Sequence, residues 1–236
     1  MERIRATFER LRRAGRRALI PFIMGGDPDP AATGRLLLTL EAAGADLIEV
    51  GVPFSDPLAD GPTIQAASAR ALARGTTPRR VLQAVRAVRS RLRAPVVCLS
   101  YWNPIMQYGR DGGQAFLRAA RACGIDGVVV PDVPLEEATP LRRAAQTAGI
   151  AVILLVAPTS PPARLRAIAR ASQGFIYYVS VTGTTGARRV LPQRLINGVR
   201  QLRLVTTKPV CVGFGISTPA QAAAVARIAD GVIVGS

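Results

Sequence analysis

Short apolar runs alternate along the chain with longer segments in which alanine, leucine and arginine recur at helical spacing. The apolar runs lie at 19–24, 46–52, 95–101, 127–130, 151–156, 175–181, 209–214 and 231–234. The intervening segments predict helices at 31–43, 63–73, 78–92, 112–123, 135–148, 161–172, 192–204 and 218–228. Strands that alternate with helices indicate a parallel sheet. Eight such units predict an α/β fold, a closed (β/α)8 TIM barrel that forms a single domain over residues 1–236.

The two ends of the pattern refine this prediction. Residues 1–20 bring apolar side chains together at helical spacing, and we expect an N-terminal amphipathic helix there. The last apolar run is followed only by Gly235 and Ser236, so the pattern predicts a barrel without the final helix after strand eight. An open doubly wound sheet is disfavoured because the turn at 24–28 lacks the Gly-x-Gly-x-x-Gly pattern.

Composition excludes several classes of protein. No apolar run approaches the roughly 20 residues of a membrane-spanning helix. The chain has no histidine, which excludes Ser-His-Asp triads, Cys–His dyads and metal sites built on histidine. Three widely spaced cysteines, Cys98, Cys123 and Cys211, argue against a zinc cluster or a disulfide framework and predict a cytoplasmic location.

The net charge is the unusual property of the sequence. Thirty-one basic residues stand against 15 acidic ones, which gives a formal charge of +16. Such a charge suggests a polyanionic partner. The arginines are nevertheless spread through the helical segments without interleaved aromatic residues, as in 79–93. A solvated helical surface is the favoured interpretation, and a non-catalytic barrel that binds polyanions is the alternative.

The second apolar run contains a carboxylate. Side chains alternate along a strand, so Ile48, Val50 and Val52 would face the helices, whereas Glu49 would point into the barrel. A lone buried carboxyl group should have a raised pKa and would suit proton transfer near neutral pH. The structural alternative is an ion pair between Glu49 and an arginine on a loop.

The next loop and the last three strand ends carry further candidate chemistry. By spacing alone, Asp60 is favoured as the N-cap of the helix that starts near Thr63, with a second catalytic acid as the alternative. Glycines follow strands six, seven and eight at 183 and 186, 213 and 215, and 235. Glycine lets backbone N–H groups approach an anion, and these loops form the frequent phosphate site of TIM barrels. A phosphate-bearing ligand is therefore predicted.

Several of these stretches resemble the tryptophan synthase alpha subunit family. The most specific is 53–65, Pro-Phe-Ser-Asp-Pro-Leu-Ala-Asp-Gly-Pro-Thr-Ile-Gln, and others lie at 26–28, 49–52, 103–105, 131–134, 177–180 and 213–217. The resemblance covers the whole chain. It implies a carbon–carbon lyase of tryptophan biosynthesis, which cleaves indole-3-glycerol phosphate to indole and glyceraldehyde 3-phosphate in a retro-aldol reaction. It also implies that the chain uses no metal or organic cofactor.

The resemblance assigns roles residue by residue. Glu49 would be the acid that protonates indole C3 and then the base, and Asp60 would accept the indole N–H, which replaces the N-cap interpretation. The indole pocket would be lined by Phe22, Leu99, Val129, Leu155, Tyr177 and Phe214, each of which is also a plausible core residue. Thr185 would help to orient Asp60 when its loop closes. The phosphate would rest on the backbone N–H groups of Gly186, Gly215, Gly235 and Ser236.

The resemblance also implies a partner. Members of the family associate with a pyridoxal-phosphate-dependent beta subunit, here expected in an α2β2 heterotetramer, and the pyridoxal phosphate belongs to that partner. Asp56, Pro57 and Asn103 match the contact surface. The alternative is a stand-alone lyase that releases free indole.

Overall fold

The computed structural model describes residues 2–179, 191–213 and 215–235. Its strands are β1 (Ala18–Met24), β2 (Ile48–Gly51), β3 (Val96–Leu99), β4 (Gly127–Val129), β5 (Ala151–Ile153), β6 (Leu155–Val156), β7 (Ile176–Val179), β8 (Val210–Gly213) and β9 (Gly231–Val234). Its helices are α1 (Glu2–Arg13), α2 (Ala32–Ala42), α3 (Pro62–Ala73), α4 (Pro78–Val88), α5 (Trp102–Gln107), α6 (Gln114–Ala122), α7 (Thr139–Ala148), α8 (Pro162–Ala171), α9 (Gln193–Arg203) and α10 (Pro219–Ala226). None of these helices is long and apolar enough to span a bilayer.

The strands form one parallel sheet that closes on itself. The order is β5-β4-β3-β2-β1-β9-β8-β7-β6, and its two end strands, β5 and β6, are separated in the chain by Leu154 alone. The backbone N–H of Tyr177 donates to the Leu154 carbonyl oxygen at 3.1 Å, so β5 and β6 act as one interrupted strand of the barrel. The predicted TIM barrel is confirmed.

Alternation along the strands divides the core into two layers. Ile48, Val50 and Val52 belong to the outer layer, which packs against the helices. The inner layer fills the barrel and is closed at its lower end by α1 through Ile4, Phe8 and Leu11. The N-terminal amphipathic helix is thus confirmed, although it ends at Arg13, and its apolar face covers the barrel end opposite to the carboxyl ends of the strands.

The helices differ from the prediction in three main respects: one begins later, the helix predicted over 78–92 ends at Val88, and one was not predicted. The helix predicted from 135 begins at Thr139, because residues 135–138 form successive turns in which the N–H groups of Glu137 and Ala138 donate three residues back. Helix α5 was not predicted from the sequence. It begins directly after the apolar run that ends at Tyr101, and the backbone N–H of Trp102 donates to the Asp132 carboxylate at 3.0 and 3.1 Å. The ends of two predicted strands, at 180–181 and 214, lie outside the described residues.

Four strand pairs are joined near the lower end of the barrel by the same two-bond contact, here named the strand clasp. A polar residue just before one strand donates its backbone N–H to a residue near the start of the preceding barrel strand. Its side chain accepts the N–H of that same residue. The pairs are Asp46 with Leu19, Asp126 with Val96, Gln173 with Val152 and Asp230 with Val210, with side-chain bonds of 3.1, 3.0, 3.1 and 3.0 Å.

The strand clasps predict a measurable loss of stability when one side chain is removed. Asp126→Ala leaves the buried Val96 N–H without its acceptor, and we expect the free energy of unfolding to fall by about 1–3 kcal/mol. Asp126→Asn keeps an acceptor oxygen, and Gln173 shows that a neutral amide fills the same position. In denaturant unfolding, the free energy of unfolding of Asp126→Asn should therefore lie closer to that of the unsubstituted chain than the value for Asp126→Ala does. Equal losses in the two variants would contradict this reading of the clasp.

Candidate active site

Glu49 lies in the middle of β2 and points into the barrel, as the alternation predicts. In the strand register it stands opposite Phe22 of β1 and Val97 of β3. Its side chain is buried, and neither carboxylate oxygen has a hydrogen-bond partner among the described residues. The alternative, an ion pair between Glu49 and a loop arginine, is therefore not found among the described residues. Burial raises the pKa of Glu49 to about 8, and the negative charge of Asp60 adds to this rise.

Asp60 lies just before α3 but does not cap it. The N-cap of α3 is Gly61, which has no side chain to bond to the first turn, and the helix begins with Pro62. The N-cap interpretation drawn from spacing alone is wrong for this reason. Burial raises the pKa of the half-buried Asp60 carboxyl, and a hydrogen bond from the Tyr101 hydroxyl lowers it. Asp60 also stands close enough to Glu49 to raise that residue's pKa.

The loop that carries Asp60 is fastened at both of its ends. Near its start, the Ser68 hydroxyl accepts the Phe54 N–H and donates to the Phe54 carbonyl oxygen, both at 2.9 Å. At its end, the Gln65 side-chain amide donates to the Asp60 carbonyl oxygen at 2.9 Å. Both fastening groups are supplied by α3, the helix that follows the loop. The loop is therefore held by the same helix that it introduces.

Tyr101 is a site residue that the sequence analysis missed. Its hydroxyl accepts the Ala59 N–H at 2.9 Å, and its ring lies against Phe54 with centroids 5.3 Å apart. No local pattern marks it, since it ends an apolar run and meets a loop that lies 42 residues earlier in the chain. The only signal in the sequence was the motif around Asp60, which implies that the loop carrying it needs support from a neighbouring strand.

The predicted pocket residues lie in the inner layer of the barrel. Leu99, Val129 and Tyr177 belong to it directly, and Phe22 and Leu155 pack against it. A side chain at Gly51 would come within 2.7 Å of the Phe22 ring, so glycine at that position makes room for the ring beside Glu49. Leu155 also lines a cavity of about 390 Å³ at the carboxyl ends of β4, β6 and β7. Phe214 and Thr185 lie outside the described residues.

Two of the predicted phosphate glycines follow neighbouring strands. Gly215 comes after β8 with a φ of 72°, and Gly235 comes after β9; both are exposed. Because β8 and β9 are paired in parallel, these glycines lie at the same rim of the barrel. The position of a Cβ at Gly235 would be 3.7 Å from Phe22, which links this rim to the pocket. Gly186 and Ser236 lie outside the described residues.

The predicted partner residues lie on the surface near the Asp60 loop. Asp56 and Asn103 are exposed and Pro57 is half-buried; the Ser55 hydroxyl donates to the Asp56 carboxylate. The sequence analysis did not single out Leu58. This residue comes directly after Pro57, and its side chain is 88% exposed. An apolar side chain this exposed on a fastened loop is a candidate contact for another protein.

Comparison with known proteins gives a consistent result. The profile of the family described as tryptophan synthase alpha chain matches residues 8–236. The tryptophan synthase alpha chain of Picosynechococcus is 54% identical over the whole of this chain and 89% of its own length. The alpha subunit of Legionella pneumophila has a TM-score of 0.90 at 40% identity, covering 99% of this chain and 86% of its own. A solved structure of tryptophan synthase from Mycobacterium tuberculosis has a TM-score of 0.90 at 42% identity. The match covers 99% of this chain and 88% of the other.

The raised pKa of Glu49 predicts a pH-dependent stability. Between about pH 4.5 and 8 the folded chain keeps a proton on Glu49 that the unfolded chain has released, so stability falls as pH rises through this window. The slope for one group is about 1.4 kcal/mol per pH unit. Glu49→Gln removes this contribution. Its free energy of unfolding, relative to the unsubstituted chain, should rise by about 2–3 kcal/mol between roughly pH 5.5 and 7.5. Parallel stability curves for the two chains would contradict the raised pKa.

Proposed function

The chain belongs to the tryptophan synthase alpha chain family, and we propose that Glu49 and Asp60 carry out the proton transfer and charge stabilisation of its reaction. It is a carbon–carbon lyase of tryptophan biosynthesis that cleaves indole-3-glycerol phosphate. The bond between indole C3 and the glycerol chain breaks after C3 has gained a proton. The site must therefore supply one proton, stabilise a cationic indole and then remove the proton of a hydroxyl group.

Glu49 is the proton donor in this proposal. Its carboxyl group is buried without a hydrogen-bond partner among the described residues, and this is the observation that carries the assignment. With a pKa of about 8 it holds its proton at neutral pH, yet it is acidic enough to release it. Once it has protonated C3, the carboxylate takes the proton of the glycerol hydroxyl next to C3. The C–C bond then breaks, its electrons return to the ring, and indole and glyceraldehyde 3-phosphate form.

Asp60 has the complementary role. Protonation at C3 places positive charge on the indole nitrogen, and an ionised carboxylate that accepts its N–H stabilises that charge. The hydrogen bond from Tyr101 favours the ionised form of Asp60, whereas Glu49 has no comparable donor among the described residues. Two neighbouring carboxyl groups are thereby suited to opposite tasks by their surroundings.

The remaining site residues bind the two ends of the substrate in this proposal. Phe22, Leu99, Val129, Leu155 and Tyr177 offer apolar surface for the indole ring, and Phe214 completes that wall. The phosphate is held by backbone N–H groups of Gly215 and Gly235 at adjacent strand ends, together with those of Gly186 and Ser236. Thr185 orients Asp60 when its loop closes over the substrate, which excludes water from the cationic intermediate.

The partner is a pyridoxal-phosphate-dependent beta subunit, in an α2β2 heterotetramer. The exposed surface around Asp56, Pro57 and Asn103, extended by Leu58, is its docking face. A cytoplasmic location belongs to the same proposal. It is supported by Cys98, Cys123 and Cys211, which are all free and buried.

The proposed roles are tested by indole release from indole-3-glycerol phosphate. We expect Glu49→Gln to lower kcat by roughly 10²–10⁴-fold, because the amide cannot donate and retrieve the proton. Asp60→Asn should lower kcat by roughly 10²–10³-fold, because it removes the charge that faces the indole nitrogen. Glu136→Gln, which removes an exposed carboxyl paired with Arg164, is the matched control and should retain activity. A Glu49→Gln chain with at least a tenth of the original kcat would overturn the assignment.

The docking face makes a separate prediction. Leu58→Asp should weaken the affinity for a purified beta subunit roughly tenfold or more, because it places a charge where an apolar contact is expected. The control is Leu204→Asp, since Leu204 is 86% exposed but follows α9, at the opposite end of the barrel. Calorimetric titration should find a loss for Leu58→Asp alone. Equal affinities of the two variants would remove Leu58 from the interface, and a chain that binds no beta subunit would favour the stand-alone lyase.

A further inference from the structure

The side chain of Tyr101 connects β3 to the loop that carries Asp60. Tyr101 is 2% exposed and stands between the end of β3 and the first residue of α5. Its ring packs against Phe54 at one end of the loop, with centroids 5.3 Å apart and an interplanar angle of 33°. Its hydroxyl reaches the other end of the loop, where it meets Ala59 and Asp60. A rigid aromatic side chain therefore spans the loop that positions the second carboxylate.

The hydroxyl has one hydrogen, and the contact with Ala59 limits where this hydrogen can go. The Ala59 N–H donates to the phenolic oxygen at 2.9 Å, so the oxygen acts as an acceptor toward Ala59. The hydroxyl hydrogen then remains for the Asp60 carboxylate, which has no hydrogen to offer when it is ionised. Asp60 is therefore the acceptor to which this hydroxyl donates.

Three other titratable groups lie near Tyr101 and Asp60, and they make the hydrogen bond between these two residues more important. Glu49 faces it from β2, Tyr177 from β7 and Asp132 from the segment after β4. None of these three groups is a cation, and burial by itself favours the neutral form of Asp60. Among the described residues, the Tyr101 hydroxyl is the group that favours the charged form.

We propose that Tyr101 is a positioning residue of the lyase reaction, whose side chain, held between Phe54 and Ala59, fixes the Asp60 carboxylate in place for the indole nitrogen. This inference rests on the proposed role of Asp60. Tyr101 acts through Asp60 and makes its largest contribution when positive charge develops on the indole ring. Its removal should therefore affect kcat more than KM.

The test is Tyr101→Phe, which keeps the ring against Phe54 and removes the hydroxyl. We expect kcat for indole release to fall roughly 10–100-fold, the range for a lost hydrogen bond to a charged group, with a smaller change in KM. Without the donor, Asp60 should ionise at higher pH, so the acidic limb of the kcat/KM profile should move upward. Ser68→Ala loosens the same loop at Phe54 without touching Asp60, and it should leave that limb in place.

A double-mutant cycle with Asp60→Asn separates positioning from general support of the fold. If Tyr101 acts through Asp60, adding Tyr101→Phe to Asp60→Asn should cause little further loss of kcat. Tyr178→Phe is the matched control. It removes a buried tyrosine hydroxyl from the outer layer that has no hydrogen-bond partner among the described residues. It should leave kcat and the pH profile unchanged.

The outcomes separate this inference from the proposed function. Full activity of Asp60→Asn would contradict the role of Asp60 itself. Loss of activity in Asp60→Asn with an unchanged Tyr101→Phe would overturn the Tyr101 inference alone. Losses that multiply in the double variant, or an acidic limb that does not move, would also overturn it, because both indicate that Tyr101 acts independently of Asp60.

Discussion

The desolvation of Glu49 is the constraint on which the rest of this structure depends. A carboxyl group at the centre of a barrel loses its hydration, and no hydrogen-bond donor among the described residues replaces it. The group therefore keeps its proton, which is the state that an acid needs before it can act. An arginine beside Glu49 would instead hold the carboxyl ionised at neutral pH. Burial of Glu49 without a donor costs stability, but it leaves the carboxyl group in the protonated state that proton transfer requires.

The barrel separates the groups that hold it together from the groups proposed to react. At the lower end, α1 closes the interior, and the strand clasps at Asp46, Asp126, Gln173 and Asp230 join the strands in pairs. Every polar side chain of a clasp accepts a backbone N–H. At the upper end, of the two carboxyl groups proposed to react, Glu49 is left without a donor among the described residues and Asp60 receives one from a side chain. A substitution in a clasp should therefore affect stability, whereas a change at the rim should affect catalysis.

The alternation of apolar runs and amphipathic segments predicted the barrel and placed Glu49 inside it, because both follow from local periodicity. Periodicity could not assign Asp60, since the choice between N-cap and free carboxylate depends on whether α3 begins at Pro62 or one residue earlier, at Gly61. Helix α5 and Tyr101 escaped the analysis for a different reason. The N-terminus of α5 is bonded by Asp132, 30 residues further along, and Tyr101 meets a loop 42 residues earlier. Contacts of this kind exist only after the barrel has closed.

The most direct test of this account is a titration of the Glu49 carboxyl group itself. Infrared difference spectra of the unsubstituted chain against Glu49→Gln, recorded across pH, isolate the absorption of that one group. The account predicts a protonated carboxyl band that persists at neutral pH and disappears with a pKa of about 8. A band that is already lost near the ordinary carboxyl pKa of about 4.3 would show an ionised Glu49 and contradict the account.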